Sequence, residues 1–249
     1  MPVDPPNKID RADRVLVALG HFESRSAAQA AIAAGMVRVA GRVLAKPSEK
    51  ISPTARIDAE PAHPWVSRAG LKLAHALEVF CIDPTGLHCL DIGASTGGFT
   101  QVLLEHGAAS VVAVDVGRGQ LHSRIASDPR VTSLEATDAR DLTPDQIGKS
   151  PQLIVCDASF ISLAKLLAVP LSLAAETAAL ITLFKPQFEV GRAHIGKGGI
   201  VTNPKATAQA ETIFIDWLTQ QCWHVEACTD SPIKGGDGNS ERLLLATKK

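Results

Sequence analysis

The sequence predicts an α/β chain: a Rossmann-like domain on a mixed seven-stranded sheet, preceded by a small α+β module. Three observations predict it. From Leu87 onward short apolar runs alternate with helical spacing, the pattern of βα units that build a parallel sheet covered on both faces. The first run, Gly86-Leu-His-Cys-Leu90, leads into Asp91-Ile-Gly-Ala-Ser-Thr-Gly-Gly-Phe-Thr100, a glycine-rich turn that opens a helical pattern at Phe99, Val102, Leu103 and Leu104. Residues 9–60 lack this rhythm and read as two short helices and a hairpin.

Taken in order, residues 10–20 read as a short helix stopped by Gly20. Ser24 is the N-cap of a second helix, Arg25 to Ala34, ended by Gly35. Met36 to Leu44 alternates and turns at Ala40-Gly41, which predicts a β-hairpin. Residues 45–66, with Pro47, Pro53, Pro61 and Pro64, read as hairpin return plus linker. This divides the chain into a first domain over 1–60, a linker over 61–66 and a second domain over 67–249. Helical spacing resumes at Leu71–Leu77, and strands are expected at 87–92, 110–116, 131–136, 152–157, 178–184, 224–230 and 241–247. Helices fill most of the gaps. A loop joins the last two strands, which predicts one antiparallel strand at the end of the otherwise parallel sheet.

The 45% hydrophobic and 20% charged residues suit a soluble globular protein. No apolar run approaches the roughly 20 residues of a membrane span. Met1-Pro-Val-Asp-Pro-Pro6 has no apolar signal core, so a cytoplasmic protein is expected and a membrane partner is not. Cys81, Cys89, Cys156, Cys222 and Cys228 are an odd set without C-x-x-C spacing, which reads as reduced thiols and not as disulfides or zinc ligands. His194 has no partner cluster, and no metal is expected. The net charge of −1 hides an asymmetry: residues 1–60 hold nine Lys/Arg against seven Asp/Glu, and the remainder 16 against 19. The balances of +2 and −3 do not by themselves argue for nucleic acid; arrangement must carry that case.

The glycine loop is not the dinucleotide fingerprint, since Gly93-Ala94-Ser95 stands where the first glycine pair would be. An acid at a strand end followed by G-x-x-x-G-G resembles motif I of S-adenosylmethionine (SAM) methyltransferases. The second strand, Ser110-Val-Val-Ala-Val-Asp115, ends in an acid 24 positions after Asp91, suited to accept hydrogen bonds from both ribose hydroxyls of a nucleoside. The resemblance implies a Rossmann-like class I SAM-dependent methyltransferase. Its cofactor site would comprise Asp91, Gly93, Ala94, Ser95, Thr96, Gly97, Gly98, Phe99, Asp115, Val116, Asp138 and Ala139. Asp138, after the third strand, could bond the adenine amine or be an exposed turn aspartate.

In the first module the order helix, Ser-Arg-x-x-Ala-x-x-x-Ile-x-x-Gly, then Val-x-Val-x-Gly resembles the S4 RNA-binding domain, over roughly residues 9–60. The resemblance implies recognition of the backbone of structured RNA. Arg14, Arg25, Arg38 and Arg42 could share one face, and guanidinium groups bind phosphate bidentately. Arg68, and Arg192 and Lys197 in the basic loop Gly191–Gly199, are further candidates for RNA; that loop could close over RNA or be a solvated loop.

Ligands of open α/β sheets sit beyond the carboxyl ends of the parallel strands. Asp91, Asp115, Asp157 and Lys185 would therefore converge on one crevice, and Glu241 would join them because an antiparallel last strand starts at that edge. Lys72, Asp157, Lys185 and Glu241 match in order and context the Lys-Asp-Lys-Glu tetrad of FtsJ-like RNA ribose 2′-O-methyltransferases. The phrases Val66-Ser-Arg-Ala-Gly-Leu-Lys-Leu73, Asp91–Thr100, Asp157-Ala-Ser-Phe-Ile-Ser-Leu163 and Lys185-Pro-Gln-Phe-Glu-Val-Gly191 closely resemble the TlyA family, which joins an S4 domain to an FtsJ-like domain. The likeness implies methylation of a cytidine 2′-hydroxyl in ribosomal RNA, of 23S and as a second candidate 16S, with ribosomal RNA or ribosomal subunits as partner. The short stretch after Glu241 resembles members that modify the large subunit only.

A ribose hydroxyl must lose its proton as it attacks a methyl. A lysine, with a free value near ~10.4, serves as base only through its neutral fraction, and a second lysine and burial both favour that fraction. Lys185 is the expected base and Lys72 the group that positions the hydroxyl, with Asp157 and Glu241 orienting them; the pair could titrate as a unit. Three rival functions make different demands on the chain. A membrane-lytic hemolysin would need an amphipathic element or barrel strands. An assembly factor without methyl transfer would not need the tetrad. A base methyltransferase would need a motif such as Asn-Pro-Pro-Tyr where this chain has Asp157-Ala-Ser-Phe160. The target nucleotide, the subunit and the oligomeric state stay open.

Overall fold

In the computed structural model Ala40 and Gly41 both take positive φ (49° and 80°), the mirror-image two-residue turn that matches the twist of a hairpin. Residues 8–248 are described; residues 1–7 and 249, which include the N-terminal stretch read as lacking a signal core, lie outside them. The chain divides into two units, Met1–Pro64 and Trp65–Lys249.

In the first unit Asp10–Arg11 (β1) precede the helix Ala12–Ala18 (α1). The helix is shorter than the expected 10–20. The N–H groups of Ala12 and Asp13 bond the carbonyls of Glu49 and Pro47 at 2.7 and 3.2 Å, so the chain ahead of them pairs as a strand. Helix α2, Arg25–Ala33, begins where Ser24 Oγ accepts from the Ala27 N–H at 3.2 Å. The strands Val37–Val39 (β2), Arg42–Val43 (β3), Lys50–Ile51 (β4) and Ile57–Ala59 (β5) follow. Strand β4 pairs with β1, and β3-β2-β5 form an antiparallel sheet. The proline-rich stretch read as hairpin return plus linker thus carries two strands, too short for an alternating pattern to register. Leu16, Ala28, Ile32, Val37, Leu44 and Ile51 form the core of this unit.

The second unit opens with helix α3, Ala69–Phe80, and continues with β6 (His88–Ile92), α4 (Gly98–Glu105), β7 (Ser110–Val114), α5 (Ser123–Ala126), β8 (Val131–Leu134), α6 (Pro144–Ile147), β9 (Leu153–Cys156), α7 (Leu163–Ser172), β10 (Ala178–Phe184), α8 (Pro186–Glu189), α9 (Pro204–Gln220), β11 (His224–Asp230) and β12 (Arg242–Lys248). The seven strands lie in the order β11-β12-β10-β9-β6-β7-β8, and β12 runs antiparallel to both neighbours. The expected antiparallel strand is therefore last in the chain but second from the edge of the sheet. The reason is hydrophobic. Leu243, Leu244, Leu245 and Ala246 are all buried, as a strand covered on both faces must be, whereas β11 alternates between exposed and half-buried residues and suits an edge.

Alternate strand residues feed two cores. Leu90, Ile92, Ile154, Leu180, Phe184 and Leu244 pack with α7 and α9 on one face. Cys89, Val111, Leu153, Val155, Ile181 and Leu243 pack with α3 and α4 on the other. No helix among the described residues is long and apolar enough to cross a membrane. The parallel strands put their carboxyl ends on one edge, and β12 starts there because Arg242 pairs with Phe184.

Candidate active site

Two adjoining cavities open at that edge of the second unit. One, of about 400 Å³, is lined by Arg68, Lys72, Asp157, Lys185 and Glu241 together with Ala94, Ser95, Thr96 and Phe99 of the glycine loop. The other, of about 510 Å³, is lined by Ile92, Val114, Asp115, Val116, Asp138, Ala139 and Leu166. Gly93, Ser95, Asp157, Ser159 and Phe160 border both.

The four expected tetrad residues meet in the first cavity, and their charges alternate along a line. Lys72 Nζ on α3 lies 2.6 Å from Glu241 Oε2 and 3.7 Å from Asp157 Oδ2, and Lys185 Nζ lies 2.6 Å from Asp157 Oδ1. Topology explains the meeting. Asp157 follows β9 and Lys185 follows the adjacent β10, while Glu241 precedes the antiparallel β12 on the far side of β10. Lys72, Lys185 and Glu241 are buried, at 7%, 7% and 4% exposure. Buried charges need partners, and here two ammonium groups face two carboxylates. Each lysine is ion-paired with a carboxylate at 2.6 Å. Asp157 Oδ1 carries no hydrogen bond despite its closeness to Lys185, so that contact is charge pairing out of line for a hydrogen bond. Lys185 instead donates to Ser159 Oγ at 3.0 Å and to the Asp157 carbonyl at 3.4 Å. A Cβ on Gly235 would lie 2.5 Å from Glu241 Oε1, so a larger residue there would make the carboxylate shift.

The second cavity has the make-up of a nucleoside site: aliphatic walls with carboxylates at one end. Gly93, at φ +77°, turns the loop so tightly that a Cβ would stand 3.0 Å from the Ala158 backbone. The Asp115 carboxylate accepts from the N–H groups of Ser95 at 2.8 Å and Gly117 at 2.7 Å, which fixes it at the mouth with lone pairs left for hydroxyls. Asp138 is half-buried and bound to its neighbour: Arg140 donates through its backbone N–H at 2.9 Å and its guanidinium at 2.6 Å, which holds the carboxyl below its ordinary range. An adenine amine at Asp138 would compete with Arg140, and the residue is half-buried rather than an exposed turn aspartate. Val116 is 71% exposed, an aliphatic side chain presented to the cavity.

Asp91, Gly97 and Gly98 line neither cavity. Asp91 is fully buried beneath the loop, where its Oδ2 accepts from Thr100 Oγ1 at 2.6 Å and its Oδ1 has no partner. Burial pushes its carboxyl up to about 7. It braces β6 against α4 and does not face the cavities.

Of the basic residues expected to meet RNA, Arg68 lines the first cavity, while Arg192 and Lys197 lie exposed in a loop of two 3-10 turns. In the other unit Arg25 is tied to the buried Asp13 at 2.9 Å, Arg42 to Glu49 at 2.8 Å and Arg14 to Asp10 at 3.7 Å. Arg38 donates to the Gly41 carbonyl at 3.5 Å. Asp13 also accepts from Arg11 and Gln29, and the Arg11 guanidinium holds it well below the usual carboxylate range. Arg25 is thus half committed to the fold of its own unit.

Three polar residues, one lining the site and two bracing loops beside it, escape the sequence reading. Ser159 lies in a phrase that carries the family resemblance, two positions after Asp157. Glu135, just after β8, accepts from the N–H groups of Gly119, Gln120 and Leu121 at 2.9, 2.6 and 3.1 Å and so shapes the loop after Asp115. An acid at a third strand end, like Asp91 and Asp115 before it, is the signal that could have found it. Asn239, 3% exposed, bonds the Val201 N–H and the Gly199 carbonyl, both at 3.0 Å. It pins the 191–201 loop beside Glu241, a pairing 38 and 40 residues apart that no local pattern carries.

Residues 65–249 match the FtsJ-like methyltransferase family and residues 10–57 match the S4 domain. The 16S/23S rRNA (cytidine-2′-O)-methyltransferase TlyA of Mycobacterium tuberculosis is 45% identical, covering 94% of this chain and 88% of that one. A solved structure from Streptococcus thermophilus that carries a hemolysin name superposes with a TM-score of 0.76 at 36% identity, covering 98% of this chain and 90% of that one. A SAM-dependent methyltransferase of Aquifex aeolicus shares the fold at 16% identity and a TM-score of 0.51, covering 74% of this chain and 94% of that one.

Proposed function

The chain belongs to the FtsJ-like methyltransferases, in the TlyA family that sets an S4 domain before them, and on that premise we propose how its residues divide the work of transferring a methyl group from SAM to a cytidine 2′-hydroxyl of ribosomal RNA. The observation that carries the reading is the alternating line Glu241, Lys72, Asp157, Lys185 in the first cavity, with Asp157 bordering the second as well.

The cavity of Asp115, Val116 and Ala139 holds the adenosine, and Asp115 accepts from the ribose hydroxyls. Bound SAM supplies an electrophilic sulfonium methyl. The first cavity takes the target ribose. Lys185, as the free amine, accepts the 2′-hydroxyl proton as the oxygen–methyl bond forms and the sulfur–methyl bond breaks. A positioned base of this kind is worth roughly 10²–10⁴ in rate. Lys72 holds the oxygen from the other side, and Asp157, between the two lysines, fixes both. Arg68 takes phosphate at the rim. The work takes place in the cytoplasm, on ribosomal RNA or a ribosomal subunit.

Replacing Asp115 by Ala is expected to weaken SAM binding at least tenfold, because each hydrogen bond to a charged acceptor is worth about 1.5–3 kcal/mol. Calorimetric titration reads it, and an unchanged dissociation constant removes Asp115 from the site.

The S4 unit supplies RNA affinity. A chain beginning at Trp65, which keeps both cores of the second unit, is expected to bind SAM normally and to lose most affinity for ribosomal RNA. Each phosphate ion pair that disappears with the S4 unit flattens the dependence of log K on log salt by roughly 0.7–0.9. Equal methylation of ribosomal RNA by the truncated and full chains would leave the S4 unit without this role.

A further inference from the structure

Ser159 touches both cavities and the Lys185 ammonium, yet belongs to neither the tetrad nor the glycine loop. Its Oγ, 3.0 Å from Lys185 Nζ, is the side-chain oxygen to which that ammonium donates a hydrogen bond; the closer Asp157 Oδ1 supplies charge without one. Its neighbour Phe160 takes φ +68°, a left-handed conformation that a phenylalanine rarely adopts. The turn meets the segment after β10 twice: Ser159 accepts from Lys185, and the Phe160 ring lies 5.2 Å from that of Phe188. Ser159 is also exposed, while Lys185 is buried.

From this geometry we infer that Ser159 is a positioning residue for Lys185: its hydroxyl fixes the direction of the amine and links it to solvent. The inference rests on Lys185 being the base. In the reaction the 2′-hydroxyl proton moves to the Lys185 lone pair, giving the ammonium. To restore the amine, Lys185 passes a proton to Ser159 Oγ while the Ser159 hydroxyl gives its own proton to water, so the serine ends unchanged. The charged groups that line the cavity with Lys185 are Arg68, Lys72, Asp157, Lys234, Asp237 and Glu241, of which Asp157 is ion-paired with it at 2.6 Å; the Ser159 segment brings the hydroxyl and no charge. A hydroxyl accepts more strongly from an ammonium than from a neutral amine, so loss of Ser159 acts on proton exchange at Lys185 and not on the shape of the cavity alone.

The test uses the full chain, SAM at saturation and unmethylated ribosomal RNA, with Ser159→Ala, Ser159→Thr and Lys185→Ala measured side by side by single-turnover transfer across pH. With SAM at saturation, Ser159→Ala is expected to slow transfer about tenfold and to move the rising limb of the pH–rate profile to lower pH. Ser159→Thr, which keeps the hydroxyl, restores the rate and the profile. A Ser159→Ala enzyme with the native rate and limb overturns the inference. So does one that is slow with an unmoved limb, since that marks a loss of shape alone. Normal transfer by Lys185→Ala would instead sink the assignment of the base, a separate outcome.

Discussion

Replacing Lys185 by Ala is expected to remove methyl transfer almost completely while leaving SAM affinity near native. Lys185 lines the first cavity, with its amine 2.6 Å from Asp157, and is not among the residues that line the adenosine cavity. Loss of a positioned base should slow single turnover by roughly 10²–10⁴. The variant also leaves Asp157 with only Lys72 at 3.7 Å, so melting should be recorded alongside. A folded variant that binds SAM and transfers at a substantial rate would move the base to Lys72 or to solvent.

Glu241→Ala is expected to cost stability as well as activity. It strips the 2.6 Å partner from Lys72, a cation at 7% exposure. Breaking a buried ion pair on one side costs about 3–5 kcal/mol, which for a unit of this size lowers the melting temperature by roughly 6–20 °C. The double replacement Lys72→Met with Glu241→Leu should regain much of that loss, because an apolar pair of similar volume carries no desolvation penalty. It should remain without activity. An inactive single variant that melts like the native chain would mean Lys72 finds another partner; a double variant as unstable as the single one would mean that the cost is one of shape.

Much of this was legible in the chain. Strand ends are where chemistry collects in an open α/β sheet, so Asp115, Asp157 and Lys185 could be placed from the apolar runs before them. Glu241 could be placed from the loop that makes its strand antiparallel. Pairings set by packing were not legible. The position of β12 inside the sheet depends on which strand needs two covered faces, visible in Leu243–Ala246 only once the neighbours are known. The brace of Asp91 on Thr100 and the clasp of Glu135 on three N–H groups join residues whose spacing fits no local motif. Arg25 shows a second limit of the sequence. A surface arginine in a basic module looks like a phosphate ligand, but a buried aspartate twelve positions earlier already holds it.

The inserted final strand sets an order on the making of the enzyme. As the chain emerges from the ribosome, β6 to β10 can associate while β11 and β12 are still to come, and β10 then presents an open edge. Lys72 waits across 169 residues for the carboxylate that neutralises it. The hairpin that closes the sheet delivers that carboxylate in the same event, so sheet completion and site completion are one step. A nascent or C-terminally clipped chain is therefore both sticky and inactive, and competence to modify RNA appears only after synthesis has passed the last strand.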